Sequence, residues 1–250
     1  MATLSQPIAL SVVVPVRDEL ENLEPLAAEL TEVLQAEGIA FELLLVDDGS
    51  RDGSDRLIEK LARSDPRLRA LFLAAPSGQT AAFDAGFRAA RGEIVVTLDA
   101  DLQNDPRDIP RLLAALAGHD AAVGFRVDRQ DPWLRRISAR IANRIRNRLT
   151  GDDIVDTGCS LKAYRSERLL ELELYDGMHR FLPTLLRMAG GSVVQLPVHH
   201  RPRRAGRSKY GVGNRLFRGA ADLLAVRWMK RRRLDYRLRE RAGARELSER

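Results

Sequence analysis

One cysteine, Cys159, occurs among the 250 residues, so the chain can form no internal disulfide framework, which suits a reducing compartment. No stretch approaches the ~20 apolar residues that a membrane-crossing helix needs, so a soluble or peripheral protein is expected. No Gly-x-Gly-x-x-Gly follows the first apolar segment, and no Walker-type Gly-x-x-x-x-Gly-Lys occurs anywhere. Dinucleotide and P-loop phosphate binding are disfavoured on that ground. The N-terminus lacks a basic region leading into a long apolar run. Its apolar segment, Ile8 to Val16, contains Ser11 and Pro15 and runs into Arg17-Asp18-Glu19. That pattern reads as a first core strand, not a signal peptide. Internal repeats and low-complexity linkers are absent as well.

What is present is ample core material, 44% hydrophobic, in a length that fits one large domain or one domain with an appendage. The net charge of +6 hides an asymmetry. Residues 201–250 hold 17 Lys and Arg against five Asp and Glu, whereas the first 200 residues are net acidic by six. An acidic body with a basic tail implies that the tail meets an anionic partner.

Short β-rich runs at Leu10–Val16, Phe41–Val46, Arg69–Leu73, Glu93–Leu98 and Ala121–Gly124 alternate with helical patterns near 22–36, 54–64, 79–91 and 107–117. That alternation predicts an α/β fold with a mainly parallel central sheet flanked by helices. Ligands of such sheets sit beyond the carboxyl ends of the strands. Arg17-Asp18-Glu19, Asp47-Asp48-Gly49-Ser50 and Asp99-Ala100-Asp101 therefore share one rim. Beyond residue 126 the spacing of Leu134, Ile137, Ile141, Ile145 and Leu149 predicts a helix carrying six arginines among residues 135–148. A loop and short strand around Asp156 to Lys162 follow, then a helix near 178–189, a strand near 192–199 and basic helical sequence over 212–241.

Two carboxylates two residues apart at a strand end, Asp99 and Asp101, can face one hard cation. Mg²⁺ and Mn²⁺ prefer oxygen ligands and accept sites completed by substrate phosphates. A carboxylate at Asp48 can accept hydrogen bonds from a base or a ribose, and Gly49 allows a tight turn. Cys159 reads as a small packing residue, and His199-His200 read as structural. Asp156 either bonds its own backbone in a turn or lies beneath a bound ligand, and His179 either caps a helix or faces a ligand.

In order and spacing, Val14-Pro15-Val16-Arg17-Asp18-Glu19, Val46-Asp47-Asp48-Gly49-Ser50-Arg51-Asp52-Gly53-Ser54, Gly78-Gln79-Thr80-Ala81-Ala82, Asp99-Ala100-Asp101-Leu102-Gln103 and Val123-Gly124-Phe125-Arg126 resemble glycosyltransferase family 2. Its fold is the nucleotide-diphospho-sugar transferase (GT-A) fold. Within that family, Asp156-Thr157-Gly158-Cys159-Ser160-Leu161-Lys162-Ala163-Tyr164-Arg165, His179-Arg180-Phe181-Leu182-Pro183 and Gly206-Arg207-Ser208-Lys209-Tyr210 are similar to the polyprenyl-phosphate branch. The resemblance implies that Pro15, Arg17, Glu19, Val46 and Asp48, with Asp99, Ala100 and Asp101, bind a UDP- or GDP-sugar. It implies that Asp99, Asp101 and Gln103 hold Mg²⁺ or Mn²⁺, and that Asp99, Asp101 and Arg126 are catalytic. It places Arg126, Arg136, Ser138, Arg203 and Lys209 around the phosphate of a polyprenyl acceptor, and it implies one in-line displacement with inversion. The family often has Tyr-Asn-Glu where this chain has Arg17-Asp18-Glu19. Members of the branch often carry C-terminal membrane spans, which this sequence lacks.

A phosphate monoester is already anionic, so its attack needs no general base and rests on positioning and charge stabilisation. Transfer to a saccharide hydroxyl is the alternative; it would want a carboxylate base, and the phosphate-branch motifs count against it. In the tail, ten of the fourteen residues from Leu216 to Met229 are apolar, and Lys230-Arg231-Arg232-Arg233 follows. An apolar face, Trp228 and clustered cations fit a helix lying in the interface of an anionic membrane. Without a nucleic-acid module or regular aromatic interleaving, nucleic acid is not an expected partner. The expected organisation is a catalytic domain over 1–211, in donor (8–126) and acceptor (127–211) halves, and a basic tail over 212–250. The expected location is peripheral, at the cytoplasmic face of a membrane, with a homo-oligomer among the allowed states.

Overall fold

The computed structural model describes residues 8–127, 144, 146–202 and 212–234. In chain order the elements are β1 (Leu10–Val16), α1 (Leu20–Ala36), β2 (Phe41–Asp47), α2 (Ser54–Ser64), β3 (Leu68–Phe72), α3 (Gln79–Ala89), β4 (Ile94–Thr97), α4 (Ile109–Ala115), β5 (Ala121–Arg126), β6 (Lys162–Arg165), α5 (Ser166–Leu170), α6 (Leu182–Met188), β7 (Val193–Val198) and α7 (Val212–Arg232). Seven strands form one sheet in the order β3-β2-β1-β4-β6-β5-β7. All neighbours pair in parallel except β6, which runs against both β4 and β5. The five strands read from the first half of the sequence are all there, each within a few residues of its expected bounds.

Strand sequences explain the layering. In β1 every residue except Pro15 is buried, as a central strand covered on both faces requires. Alternate residues feed two cores. Val12, Val14, Leu43, Leu45, Val96 and Leu98 meet α1 and α4 on one side. Val13, Leu44, Val46, Val95, Val123 and Tyr164 meet α3 and α6 on the other.

The chain starts at β1, winds outward through β2 and β3, and then returns to place β4 on the far side of β1. That reversal is the topological switch point where open α/β sheets bind ligands. Six strands point their carboxyl ends at this rim, so the loops after β1, β2, β4, β5 and β7 converge there. The reversed β6 instead brings its first residue to it.

Candidate functional site

Loops after β1 and β2 are stitched to each other before any ligand arrives. Asp18, in the left-handed region at φ 46°, accepts from Arg51 N (2.7 Å), and its own N–H donates to Ser50 Oγ (2.8 Å). Glu19 N donates to Ser54 Oγ (3.0 Å), and the Glu19 carboxylate accepts from Asn22 Nδ2 (2.7 Å). Adjacent aspartates divide the work. Asp47 closes the turn by accepting from Gly49 N (3.0 Å) and Ser50 N (3.1 Å). Asp48, 4% exposed, accepts from Gly78 N (2.9 Å), Ser77 N and Arg17 Nη1 (3.2 Å). Pro15 lies opposite Val46 in the β1–β2 register, and Val46 is wholly buried, so the pair forms the floor of this corner.

Gly49 has φ 73°, and a Cβ there would meet Pro76 Cγ at 3.0 Å, which is why the turn takes glycine.

The Asp99-Ala100-Asp101 turn leaves β4 at the switch point. Leu102 sits at φ 59°, a conformation a branched side chain rarely adopts, and this bend carries Gln103 back toward the carboxylates. Asp101, 8% exposed, accepts from Gln103 N (3.2 Å). Asp99 Oδ1 accepts from Gln79 Nε2 (2.8 Å) at the start of α3, and Asp99 N donates to Ser160 Oγ (3.2 Å). Ser160 Oγ also accepts from Asn104 Nδ2 (2.8 Å), tying the turn to the segment before β6. Burial and the neighbouring Asp101 charge push the Asp99 carboxyl up to about 6, against the opposing pull of Ser160, Lys162 and Arg126.

Arg126 closes β5 beside this turn. Its Nε and Nη2 grip the two oxygens of Asp156 at 2.6 and 2.8 Å, leaving Nη1 outside that fork. Burial works against the Arg126 charge, but Asp156 outweighs it and the guanidinium pKa rises. A Cβ on Gly158 would lie 2.9 Å from Arg126 Nη2, so the glycine makes room for the pair. Asp156 also accepts from Gly158 N (3.1 Å), combining a turn role with an arginine-holding one. Cys159 is buried, and burial together with Asp156 raises its thiol to about 11, which leaves it a packing residue.

Asp99, Asp101, Gln103, Arg126, Gly158 and Ser160 line one small cleft together with His200, which the sequence reading had grouped with structural residues. The two histidines separate in role. His199 is held by Asp108 through its backbone N (2.7 Å) and its ring Nδ1 (3.1 Å). His200 Nε2 lies 3.4 Å from Gln103 Nε2. The signal that points to His200 is its place just past β7, whose carboxyl end reaches the same rim as β5. His179 sits at the start of α3: its Nδ1 is 2.7 Å from Thr80 Oγ1 in the first turn of that helix, and Thr80 Oγ1 also accepts from Gly177 N (3.0 Å). Arg136, Ser138, Arg203 and Lys209 lie outside the described residues.

Among the described residues, no three His, Cys, Asp or Glu side chains form a ready-made metal cage. Two carboxylates and an amide oxygen are nonetheless the hard-oxygen set that suits Mg²⁺ or Mn²⁺ when substrate phosphates complete the shell. The raised pKa of Asp99 fits that use, since Asp101 repels it and a cation would relieve both.

Comparison with known proteins points the same way. A family model described as Glycosyl transferase family 2 matches residues 11–172. The undecaprenyl-phosphate 4-deoxy-4-formamido-L-arabinose transferase of Edwardsiella ictaluri is 40% identical over 204 residues, covering 81% of this chain and 63% of that protein. The dodecaprenyl-phosphate galacturonate synthase of Rhizobium johnstonii is 38% identical over 232 residues, 90% of this chain and 68% of that protein. The chain thus spans under two thirds of the first relative's length. Among solved structures, glucosyl-3-phosphoglycerate synthase from Mycobacterium tuberculosis with Mn²⁺, UDP and phosphoglyceric acid superposes with TM-score 0.68 at 20% identity, covering 91% of this chain and 80% of that one. A mannosyltransferase from Pyrobaculum calidifontis with GDP-Man and Mn²⁺ gives 0.64 at 22%, covering 91% and 65%. At such identities the likeness establishes the GT-A fold.

Proposed function

The chain belongs to glycosyl transferase family 2, and from that premise we propose that it moves a sugar, with inversion, from a UDP- or GDP-sugar to the phosphate of a polyprenyl carrier such as undecaprenyl phosphate. The observation that carries this is the placement of the Asp99–Asp101 turn at the switch point, facing the Arg126–Asp156 pair across one cleft. Both curated relatives are named for polyprenyl-phosphate chemistry, which supports the acceptor class.

In this proposal Asp48 and the loop at Gly78 hold the nucleoside end, with Pro15, Arg17, Glu19 and Val46 around them. Arg17 Nη1 now rests on Asp48, so base binding requires that contact to open or to form one wall of the pocket. Asp99, Asp101 and Gln103 hold Mg²⁺ or Mn²⁺, which supplies positive charge to the departing diphosphate. Arg126, fixed in orientation by Asp156, presents Nη1 to a phosphate oxygen. A phosphate nucleophile needs no base, and both Asp156 oxygens are committed to Arg126. That commitment also weighs against a saccharide hydroxyl as acceptor, since a hydroxyl would need its proton removed.

The tail supports surface docking. No helix among the described residues is long and apolar enough to cross a membrane. One side of α7 packs on the domain through Leu223, Val226 and Met229. Leu224 and Trp228, 62% and 63% exposed, face outward, and Lys230, Arg231 and Arg232 close the helix. An exposed apolar pair beside clustered cations suits an anionic lipid surface, and the proposed location is the cytoplasmic face.

The test is incubation of the purified chain with radiolabelled UDP- and GDP-sugars, Mn²⁺ or Mg²⁺ and undecaprenyl phosphate, followed by organic extraction. Label in the lipid phase is the expected result. Label appearing only in a water-soluble glycan would replace the acceptor, and no label in either would remove the transferase reading.

A further inference from the structure

Among the described residues, buried charges come with partners. Glu42 accepts from Ser11 Oγ (2.6 Å) and pairs with Arg69. Arg126 is locked to Asp156, and Arg146 donates to Thr157 Oγ1 and to the Ile154 carbonyl. Lys162 is the exception. It is 3% exposed, and among the described residues its ammonium has neither a hydrogen-bond acceptor nor a carboxylate at ion-pair distance.

Register fixes where that ammonium lies. Lys162 opens β6 opposite Thr97 at the end of β4 and opposite Val123 of β5. Its side chain leaves the sheet on the face that carries Tyr164, Val95 and Val123. Asp99 is two residues beyond Thr97, and Arg126 three beyond Val123. The groups near enough to act on the ammonium are Cys159, Asp99 and Arg126, which line the cleft, and Asp156, which Arg126 holds. Burial draws its pKa down, while the acidic neighbours resist.

Its nearest acids are occupied elsewhere. Asp156 is gripped by Arg126 and Gly158 N, and Asp99 accepts from Gln79. An ammonium on a side chain only 3% exposed, with little water around it and no protein acceptor, is costly. A natural chain tolerates such a cost at a site where a ligand supplies what the protein withholds.

We propose that Lys162 is a substrate-binding residue, its Nζ taking up a phosphate oxygen between the Asp99–Asp101 turn and the Arg126–Asp156 pair. It acts so only if the chain transfers sugar as proposed above. A compact, rotatable point charge suits a single non-bridging phosphate oxygen, where a planar guanidinium would need two. Two phosphates meet in that gap: the outer phosphate of the nucleoside diphosphate and the phosphate of the lipid acceptor. Either would satisfy the ammonium, and binding experiments separate them.

The experiment compares the full chain with Lys162→Met, which keeps the length of the side chain and removes its charge. Calorimetry measures UDP and GDP binding with Mn²⁺, a titration in micelles measures undecaprenyl phosphate, and thermal melting reports the fold. Lys162→Met is expected to weaken at least one of these phosphates by about tenfold or more while melting at or above the parent's temperature, because an unpaired buried charge is gone. Loss with UDP or GDP assigns the donor phosphate; loss confined to the lipid assigns the acceptor. Affinities within about twofold of the parent for every phosphate overturn the proposal, as does a variant that melts well below the parent, which marks a structural charge. A parent that binds none of the three phosphates removes the sugar-transfer reading and this assignment with it.

Discussion

Asp99 bears the most perturbed carboxyl of the cleft, raised to about 6 by burial and by the charge of Asp101. Since its folded pKa lies above that of an unfolded aspartate, its contribution to stability is full at low pH. That contribution is lost as pH rises through about 6, where the folded chain must hold an ionised carboxylate. A cation between Asp99 and Asp101 would offset that cost, so metal binding and proton binding would compete. The apparent Mn²⁺ affinity should therefore rise with pH up to about 6, by roughly tenfold per unit at the steepest, and level off above. Titrations at a series of pH values check this; Asp99→Asn should flatten the profile, and a flat profile in the parent would contradict it. Asp99 and Asp101 were legible in the sequence because a strand end and a two-residue spacing put them on one rim. His200 was not, since it reaches the cleft from beyond β7, nor was the proposed part of Lys162, which opens β6; the pairing order of strands is invisible to local pattern.

At the scale of elements, alternation of apolar runs located β1 to β5 and α1 to α3 closely, because buried parallel strands and amphipathic helices have distinct periods. The reversed strand β6 was seen only as a short strand in a loop region. Its four residues, Lys162–Arg165, are too few to show a period, and its place between β4 and β5 follows from tertiary pairing. The glycines at element junctions make a paired prediction. A Cβ on Gly92, just before β4, would lie 2.6 Å from Ser11 N and 2.7 Å from Leu10 C, both backbone of β1. Gly92→Ala should cost about 2–3 kcal/mol, read as a lower urea midpoint. The Cβ of Gly158→Ala would meet side-chain ends alone, Arg126 Nη2 at 2.9 Å and Asp156 Oδ1 at 3.4 Å. That variant should keep the parent's urea midpoint while losing turnover, because the guanidinium is pushed from its place. Equal destabilisation of the two variants would contradict this division between frame and site.

Taken whole, the molecule separates a net acidic body from a basic end: the last fifty residues, 201–250, carry twelve excess positive charges. That asymmetry was plain in the sequence, but which side of the tail helix faces the domain was not: apolar residues cover ten of fourteen positions from Leu216 to Met229. Docking resolves it. Val226 is fully buried, and Lys230 Nζ donates to the Thr150 carbonyl (2.6 Å) and the Gly151 carbonyl (3.1 Å), which leaves Leu224 and Trp228 outside. Replacing Arg231, Arg232 and Arg233 together by alanine should weaken binding to anionic vesicles by about 3 kcal/mol, near 1 per charge, with the effect shrinking in high salt. Sedimentation with phosphatidylglycerol vesicles measures this, and unchanged partitioning would remove the tail as the membrane-facing element.

The whole account turns on a divalent cation held between Asp99 and Asp101 while it grips a sugar nucleotide. Crystals of the chain grown with Mn²⁺ and UDP or GDP, measured for anomalous scattering from manganese, test that most directly. The expected result is one strong peak contacting Asp99, Asp101 and a phosphate oxygen, lost in Asp101→Asn. Nucleotide bound in the cleft with manganese absent from it, or bound away from both aspartates, would contradict the account.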